Sequence, residues 1–537
     1  MAVKTGVNLQ RIVRGIARRW LNLRNNHRLR RLAGEVLRHT PAPSAAPVVF
    51  FNASTRLEGL SLNAAFSLLS AWSLRLSGAP VVHFVCSRGL SRCVLGTDRE
   101  QPHNPPPCSA CLAQSRAMYA GGDVRWFAYH RDERLAAMLM GLDVLSLSAL
   151  VYDGLPLGEL CLPSLRWILR CHHLADDENT RFLYREYVLS ARCVAQEFLR
   201  LLDEVQPQAA VVFNGMFYPE AVARYVAMQR GLRVITHEVG LHPFTAYFTP
   251  GEATAYPIDI PTEFDLDERQ SRQLDEYLSQ RFQGNFSMAG VRFWPQMQPL
   301  SAQFWQRASG FKQIVPIFTN VVFDTSQGHA NQVFPHMFAW LDMLLQIIRA
   351  HPETFFVIRA HPDECRPGKE SRESVAQWAE RHQVRLLPNV LYVDADEYFS
   401  SYELIQHAHF VMVYNSTIGL EASIMGRPVL CGGKARFTQL PTVFFPATPE
   451  AYLQQAEEFL SASQIETPPE FQRNARRFLY YQIFRTSLPF NDLLEEDPFW
   501  RGYVHLKPIG WQSLLPQNSP ALGVIVNGIL KGEPFLL

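Results

Sequence analysis

Short apolar runs alternate with longer segments of helical period along most of this chain. Val48–Asn52 (VVFFN) reads as a strand buried on both faces, residues 60–76 as a helix, and 80–85 (PVVHFV) as a second strand. Further on, Ala209–Phe213 (AAVVF), a helix over 218–229 and a strand over 232–236 (LRVIT) repeat the unit. The pattern restarts near residue 312. A run at 314–323 (IVPIFTNVVF) and a helix at 334–348 lead to a strand at 355–358 that ends in Arg359-Ala360-His361-Pro362. A short helix at 398–406 precedes the strand 409–414 (HFVMVY), which runs into Asn415-Ser416-Thr417 and a helix over 418–425. Gly426 closes that helix, 428–430 starts the next strand, and Thr448-Pro449-Glu450 has the capping chemistry of a helix start. Residues 264–309 read as a less regular connector.

Strands alternating with helices imply parallel sheets covered on both faces. The expected fold is α/β, two Rossmann-like doubly wound domains facing a cleft, with a basic N-terminal helix and C-terminal helices. The expected divisions are an arm and linker over 1–44, a first domain over 45–300 and a second over 301–465. A helical or irregular extension over 466–537 is expected to cross back to the first domain.

The first forty residues differ from the rest. Lys4, Arg11, Arg14, Arg18, Arg19, Arg24, Arg28, Arg30, Arg31 and Arg38 face one acid, Glu35, and apolar residues recur at Leu9, Ile12, Val13, Ile16, Trp20 and Leu23. Such a helix can lie in an anionic membrane interface. It can equally pack its apolar stripe on the protein body. Nucleic-acid binding is a third, weaker reading. The Pro- and Ala-rich stretch 40–47 (TPAPSAAP) is a linker.

Composition narrows the class. The 537 residues are 47% hydrophobic and 19% charged, enough for sizeable cores and incompatible with general disorder. The net charge is +1, so no global field attracts nucleic acid. No apolar run reaches the roughly 18–20 residues of a spanning helix, and no secretory leader pattern opens the chain. Nine cysteines, an odd number without a leader, favour a reducing compartment. The expected location is cytoplasmic, peripheral on the inner face of the membrane if the arm binds lipid.

Ligands of doubly wound sheets bind beyond the carboxyl ends of the strands. At one such end Ser416 or Thr417 can cap the following helix, and its free N–H groups favour an anion. Glu421, a turn further on, can accept hydrogen bonds from a ribose diol. At another, Pro362 holds His361 extended, aiming an imidazole outward beside Arg359. Either feature alone is ordinary capping or an exposed turn histidine. Together they place two anion donors in one crevice.

The motifs RAHPDE and YNSTIGLEASIMGRPVLCGG resemble the donor half of bacterial capsule polysaccharide biosynthesis glycosyltransferases. These are similar to the 3-deoxy-manno-octulosonate transferases and bacterial sialyltransferases of GT-B architecture. The resemblance covers about residues 312–440. It implies a His-Pro motif at His361 and Pro362 and a Ser-Ser/Thr motif at Ser416 and Thr417, with Glu421 in the helix that follows; Arg359, Asn415 and Glu421 are the further candidate donor contacts. It implies sugar transfer from a nucleotide-activated donor to a polysaccharide or lipid-linked acceptor, without an obligatory catalytic metal. A CMP-sugar is slightly favoured over UDP- or GDP-sugars. The positive groups around His361 would stabilise the leaving phosphate, and a carboxylate or histidine of the first domain would deprotonate the acceptor. Glu238 is the preferred base, although local amides can equally satisfy it. His237, Asn214, Gly215 and Glu58 are further cleft candidates, and Asp324 opens the second domain. A nucleotide-sugar epimerase on the same fold and a non-catalytic scaffold are the rival functions.

Two other clusters stand outside that resemblance. Cys86-x6-Cys93-x14-Cys108-x2-Cys111 ends in a knuckle-like pair and suggests structural zinc. Its first gap is long, and another cluster, a disulfide or unrelated thiols are the alternatives. Arg170-Cys171-His172-His173 with Asp176 and Asp177 offers four groups for a divalent metal, or simply a polar helix start.

Overall fold

The structure, a computed structural model, describes residues 4–53, 57–283 and 298–537, with side chains in the first helix described from residue 13 onward. The stripe positions Leu9 and Ile12, and the basic Lys4 and Arg11, therefore lie outside the described side chains. Among the described residues, fifteen strands follow in chain order. They are β1 Val48–Asn52, β2 Leu60–Ser61, β3 Val81–Cys86, β4 Asp123–Phe127, β5 Ala209–Phe213, β6 Arg233–Val239, β7 Thr245–Thr249 and β8 Gln313–Phe318. They continue as β9 Thr354–Arg359, β10 Val390–Val393, β11 Val411–Val413, β12 Val429–Cys431, β13 Leu488–Pro489, β14 Leu494–Glu496 and β15 Tyr503–Leu506.

The first sheet runs β13-β7-β6-β5-β1-β3-β4, and the second runs β10-β9-β8-β11-β12. The second is parallel throughout. In the first, β4, β3, β1, β5 and β6 are parallel, while β7 and β13 add antiparallel at one edge. The parallel part of each sheet thus has the order 3-2-1-4-5, with a topological switch beside its first strand. The central strands are continuous apolar runs because helices cover both faces. Two edge strands escaped the sequence reading: β4 (DVRWF) has a weak apolar signal, and β10 (VLYV) is apolar but only four residues long.

Several boundaries differ from the expected ones. The 314–323 run ends as a strand at Phe318, and a loop follows along the cleft. Residues 60–61 form a strand with β15 before the helix Leu62–Leu76. The connector contains two capped helices, Glu268–Phe282, opened by an Asp267–Gln270 capping box, and Ala302–Ala308. Ala253, Tyr256, Leu274 and Leu278 share a core with Phe355 and Val413 of the second sheet. The chain therefore leaves the first domain soon after Thr249, not at residue 300. The helix Pro469–Tyr480 stays with this second core, and β13 returns to the first sheet at Leu488.

The N-terminal helix Lys4–His39 divides into two parts. Leu29, Leu32, Ala33 and Val36 are fully buried against the helix Leu62–Leu76 and the C-terminal segment. Nearer the start, Val13, Ile16, Trp20 and Leu23 remain 58–70% exposed. Among the described residues no helix is long and apolar enough to cross a membrane.

Candidate functional site

The carboxyl ends of β8, β9 and β11 open into a cavity of about 500 Å³. Arg359, His361, Asn415, Ser416, Thr417, Glu421 and Asp324 all line it. Trp167 and Arg170 of the first domain close its far side, beside Glu252 and Thr254 of the crossing segment.

Each side chain has a local cause for its position. Asn320, just past β8, donates to Asn415 Oδ1 (2.8 Å), bridging the switch point and fixing that amide. Pro362 holds His361 extended, at φ −74° and ψ 133°. The His361 Nδ1 accepts from the Asp363 N–H (3.1 Å), so a neutral ring carries its proton on Nε2. Burial lowers the pKa of His361, with Asp363 opposing that shift. Arg359 is 4% exposed, and burial lowers its guanidinium to about 10, which leaves it cationic at neutral pH. The helix Ile418–Ile424 has Thr417 as its N-cap, in helical conformation (φ −57°, ψ −22°) and without a side-chain capping bond. The Thr417 hydroxyl is thus not consumed by the helix, contrary to the capping role expected of it. Gly419 lets this helix approach β11, since a Cβ there would lie 2.9 Å from a Val413 methyl.

Glu421 differs from expectation. It is 2% exposed; Arg281 engages Oε1 (Nε 2.7 Å) and the Tyr402 hydroxyl donates to Oε2 (2.6 Å). Its carboxylate is already held, so it braces the cavity wall and is not an open ribose acceptor. Asp324 is exposed at the rim and accepts from the Ser326 hydroxyl (2.5 Å).

The first-domain candidates fare less well. Glu238 accepts from Asn63 (3.0 Å), Asn214 (2.8 Å) and its neighbour's N–H (2.9 Å), so amides satisfy it and it lines neither cavity described here. Asn214 serves as one of those donors, and Gly215 packs against Arg224 and Thr236. His237 is 1% exposed, stacks on Phe248 and is held near 3 by burial, a neutral core group. Glu58 pairs with Arg18 of the N-terminal helix, has 55% of its side chain exposed and does not line the cavity.

Sequence reasoning missed two groups. Arg170 caps the helix Leu157–Leu169 in a left-handed conformation (φ 60°), is 5% exposed and lines the main cavity. It lies over Trp167 (4.2 Å) and Phe323 (4.9 Å), and its Nε and Nη1 find no partner in the protein. Burial lowers it to about 10. Its run was marked only as a metal candidate or a polar helix start, because the cavity it faces is completed by the other domain. Glu220 lines a smaller cavity of about 90 Å³ at the switch point of the first sheet, with Asn52, Asn63, Cys93 and Trp167. Burial pushes its carboxyl up to about 8. Trp167 is a wall of both cavities.

The four cysteines gather beside that smaller cavity. Gly89 N–H donates to Cys86 Sγ (3.1 Å) and Gly96 N–H to Cys93 Sγ (3.2 Å). Cys108 and Cys111 occupy the first turn of the helix Cys108–Met118. None of the four is in a disulfide, and Cys86 and Cys93 are pushed up to about 12, chiefly by burial and secondarily by the neighbouring thiols.

Two 3-2-1-4-5 sheets facing across a cation-lined cavity define the GT-B-like class of α/β fold. Within that class, residues 305–440 match the family model described as Capsule polysaccharide biosynthesis protein, and this quarter of the chain holds every second-domain donor residue named above. Among solved structures, Thermosulfurimonas dismutans KpsC, beta Kdo 2,4 transferase, is similar at 13% identity and a TM-score of 0.36, over 53% of this chain and 82% of that one. The beta Kdo 2,7 transferase of the same KpsC shows 14% identity and a TM-score of 0.34, over 55% and 84%. UDP-GlcNAc 2-epimerase from Neisseria meningitidis, bound to UDP-GlcNAc, shows 11% identity and a TM-score of 0.22, over 81% and 98%. Likeness this slight says nothing of substrate. No curated protein matches the chain.

Proposed function

We propose that the protein is a glycosyltransferase of bacterial surface polysaccharide synthesis, moving a sugar from a nucleotide-activated donor to a glycan or lipid-linked acceptor. One observation carries this reading. The cavity that the family-matching segment opens is lined by Arg359 and His361 from one domain and Arg170 from the other. Cations from both sides suit a phosphate leaving group, whose charge grows as the glycosidic bond breaks. In this reading His361 Nε2–H donates to that phosphate, Ser416 and Thr417 add hydroxyls, and no catalytic metal is required. CMP-, UDP- and GDP-sugars all fit this chemistry.

Glu220 replaces Glu238 as our candidate base. It stands on the acceptor side, in a cavity separated from the donor by Trp167, and lacks the amide partners that occupy Glu238. A carboxyl titrating near 8 is well matched to deprotonating a hydroxyl. We further place the exposed stripe Val13, Ile16, Trp20 and Leu23, with Arg14 and Arg19 beside it, on an anionic bilayer. The cysteine cluster is proposed as structural zinc, supported by its two N–H···S contacts.

The test is thermal stabilisation by CMP, UDP and GDP, on the wild type and on a His361→Ala, Ser416→Ala variant. Stabilisation by one nucleotide, lost in the variant, is expected. No response to any of them would overturn the reading. Release of free nucleotide only when an acceptor glycan is added would separate transfer from epimerisation.

A further inference from the structure

We propose that His172, His173 and His336 form a site for a divalent transition-metal ion, zinc by the chemistry of its donors, tying the two domains together. The site is distinct from the cysteine cluster and independent of the glycosyltransferase reading.

One ring nitrogen from each histidine lies within 4.8 Å of the other two. The nearest pair, His173 Nε2 and His336 Nε2, is 3.3 Å apart. Two ligands about 2.0–2.1 Å from a tetrahedral zinc are separated by about 3.3–3.4 Å. His173 Nδ1 donates to Glu373 Oε1 at 2.6 Å, which leaves Nε2 as the ligand atom. A carboxylate on the far nitrogen is how metal-binding histidines are oriented. Glu373 is fixed in turn, because its Oε2 accepts the N–H groups of His172 (2.8 Å) and His173 (2.9 Å).

The donors come from both domains. His172 and His173 follow the helix Leu157–Leu169 of the first, while His336 caps the helix Met337–Ala350 of the second. Imidazole donors suit zinc, copper and nickel more than magnesium or calcium. Asp176 and Asp177, the acids expected to complete a set here, are engaged elsewhere. Asp176 pairs with Arg181 (2.9 Å), and Asp177 caps the helix Glu178–Val205. His336 takes their place, a partner no sequence spacing announces.

Binding changes two present contacts. His336 Nδ1 accepts from the Ala339 N–H (3.0 Å), so its proton sits on Nε2. Ligation through Nε2 moves that proton to Nδ1 and breaks the cap bond, with no net proton release. The 3.4 Å contact between Arg166 Nη2 and His172 Nε2 is long and gives way if that nitrogen ligates. A fourth position remains for water.

Cobalt(II) and zinc(II) titrations of the full chain test this. Cobalt bound to imidazoles gives d–d bands without a thiolate charge-transfer band, so the cysteine cluster is told apart. The expected result is one such equivalent in the wild type, lost in His173→Ala and in His336→Asn. Asparagine keeps a helix cap while removing the ligand, and His173 is more than half exposed, so both variants should fold. Zinc should raise the melting temperature of the wild type further than that of either variant, in which only the cysteine cluster could still bind it. A wild type with no imidazole-type cobalt spectrum, or variants that bind as much metal as the wild type, would overturn the proposal.

Discussion

Replacing Arg170 by Met should weaken donor binding while leaving the unliganded protein as stable as before. Arg170 is a buried cation whose Nε and Nη1 have no protein partner, and burial already depresses its pKa. Its present compensation is stacking on Trp167 and Phe323, worth about 0.5–2 kcal/mol each. Methionine keeps part of that packing and removes the desolvated charge, so the two effects roughly offset. With a phosphate in the cavity the balance changes, because the guanidinium gains a charge-assisted partner worth about 1.5–3 kcal/mol. The dissociation constant should rise about 10- to 150-fold, at 1.4 kcal/mol per tenfold. At a ligand concentration one hundred times the wild-type constant, the wild type gains about 2.7 kcal/mol. A variant weakened thirtyfold gains under about 1 kcal/mol. Melting curves with and without nucleotide read both quantities in one experiment. A variant that binds nucleotide as tightly as the wild type would refute the assignment of Arg170 to the donor cavity. A variant that loses several kcal/mol without ligand would show that Arg170 serves the fold.

Other consequences follow from the same structure. Arg281→Met should cost about 3–5 kcal/mol in urea unfolding, because it strands the buried Glu421 carboxylate; a loss below about 1 kcal/mol would contradict the buried pair. Glu220 and Glu364, both raised to about 8 by burial, bind protons in the fold that the unfolded chain has released above about pH 4.5. Their contribution to stability should therefore fall as pH rises from there toward 8, and it sets the net slope above about pH 6.5, whereas transfer that depends on ionised Glu220 should rise; Glu220→Gln should flatten part of that slope and remove the activity limb. Below about pH 6.5 the buried neutral His83, His172 and His237, each held near 3, should lower stability as the unfolded chain takes up protons. Substituting Val13, Ile16, Trp20 and Leu23 together by Ser should abolish sedimentation with phosphatidylglycerol vesicles without shifting the melting point, since the buried half of that helix is untouched; retained binding would refute the bilayer assignment.

Much of the second domain was legible in the chain. Strands buried on both faces are continuous apolar runs, and His-Pro and Ser-Thr at consecutive strand ends have local meaning. Pro362 restricts His361 through bonds two residues long, so its extended conformation needs no tertiary information. Edge strands were harder, because β4 buries little of its side chains and β10 is a run of only four residues. The domain crossover was misplaced because residues 253–282 carry ordinary amphipathic signals that do not say which core they join.

The sequence by itself determined the alternation of strands and helices, the two doubly wound halves and the anion-binding ends of the second sheet. All of these rest on local period, turn chemistry and short-range sterics. The tertiary structure alone decided which side chains share a cavity. It tied up Glu238 with amides from 24 and 175 residues away and locked Glu421 to Arg281. It brought Arg170 to face Arg359 across the cleft, and His336 to within bonding distance of His173. These are contacts between residues far apart in the chain, fixed by how helices pack on two separate sheets. Local pattern carries no record of that packing.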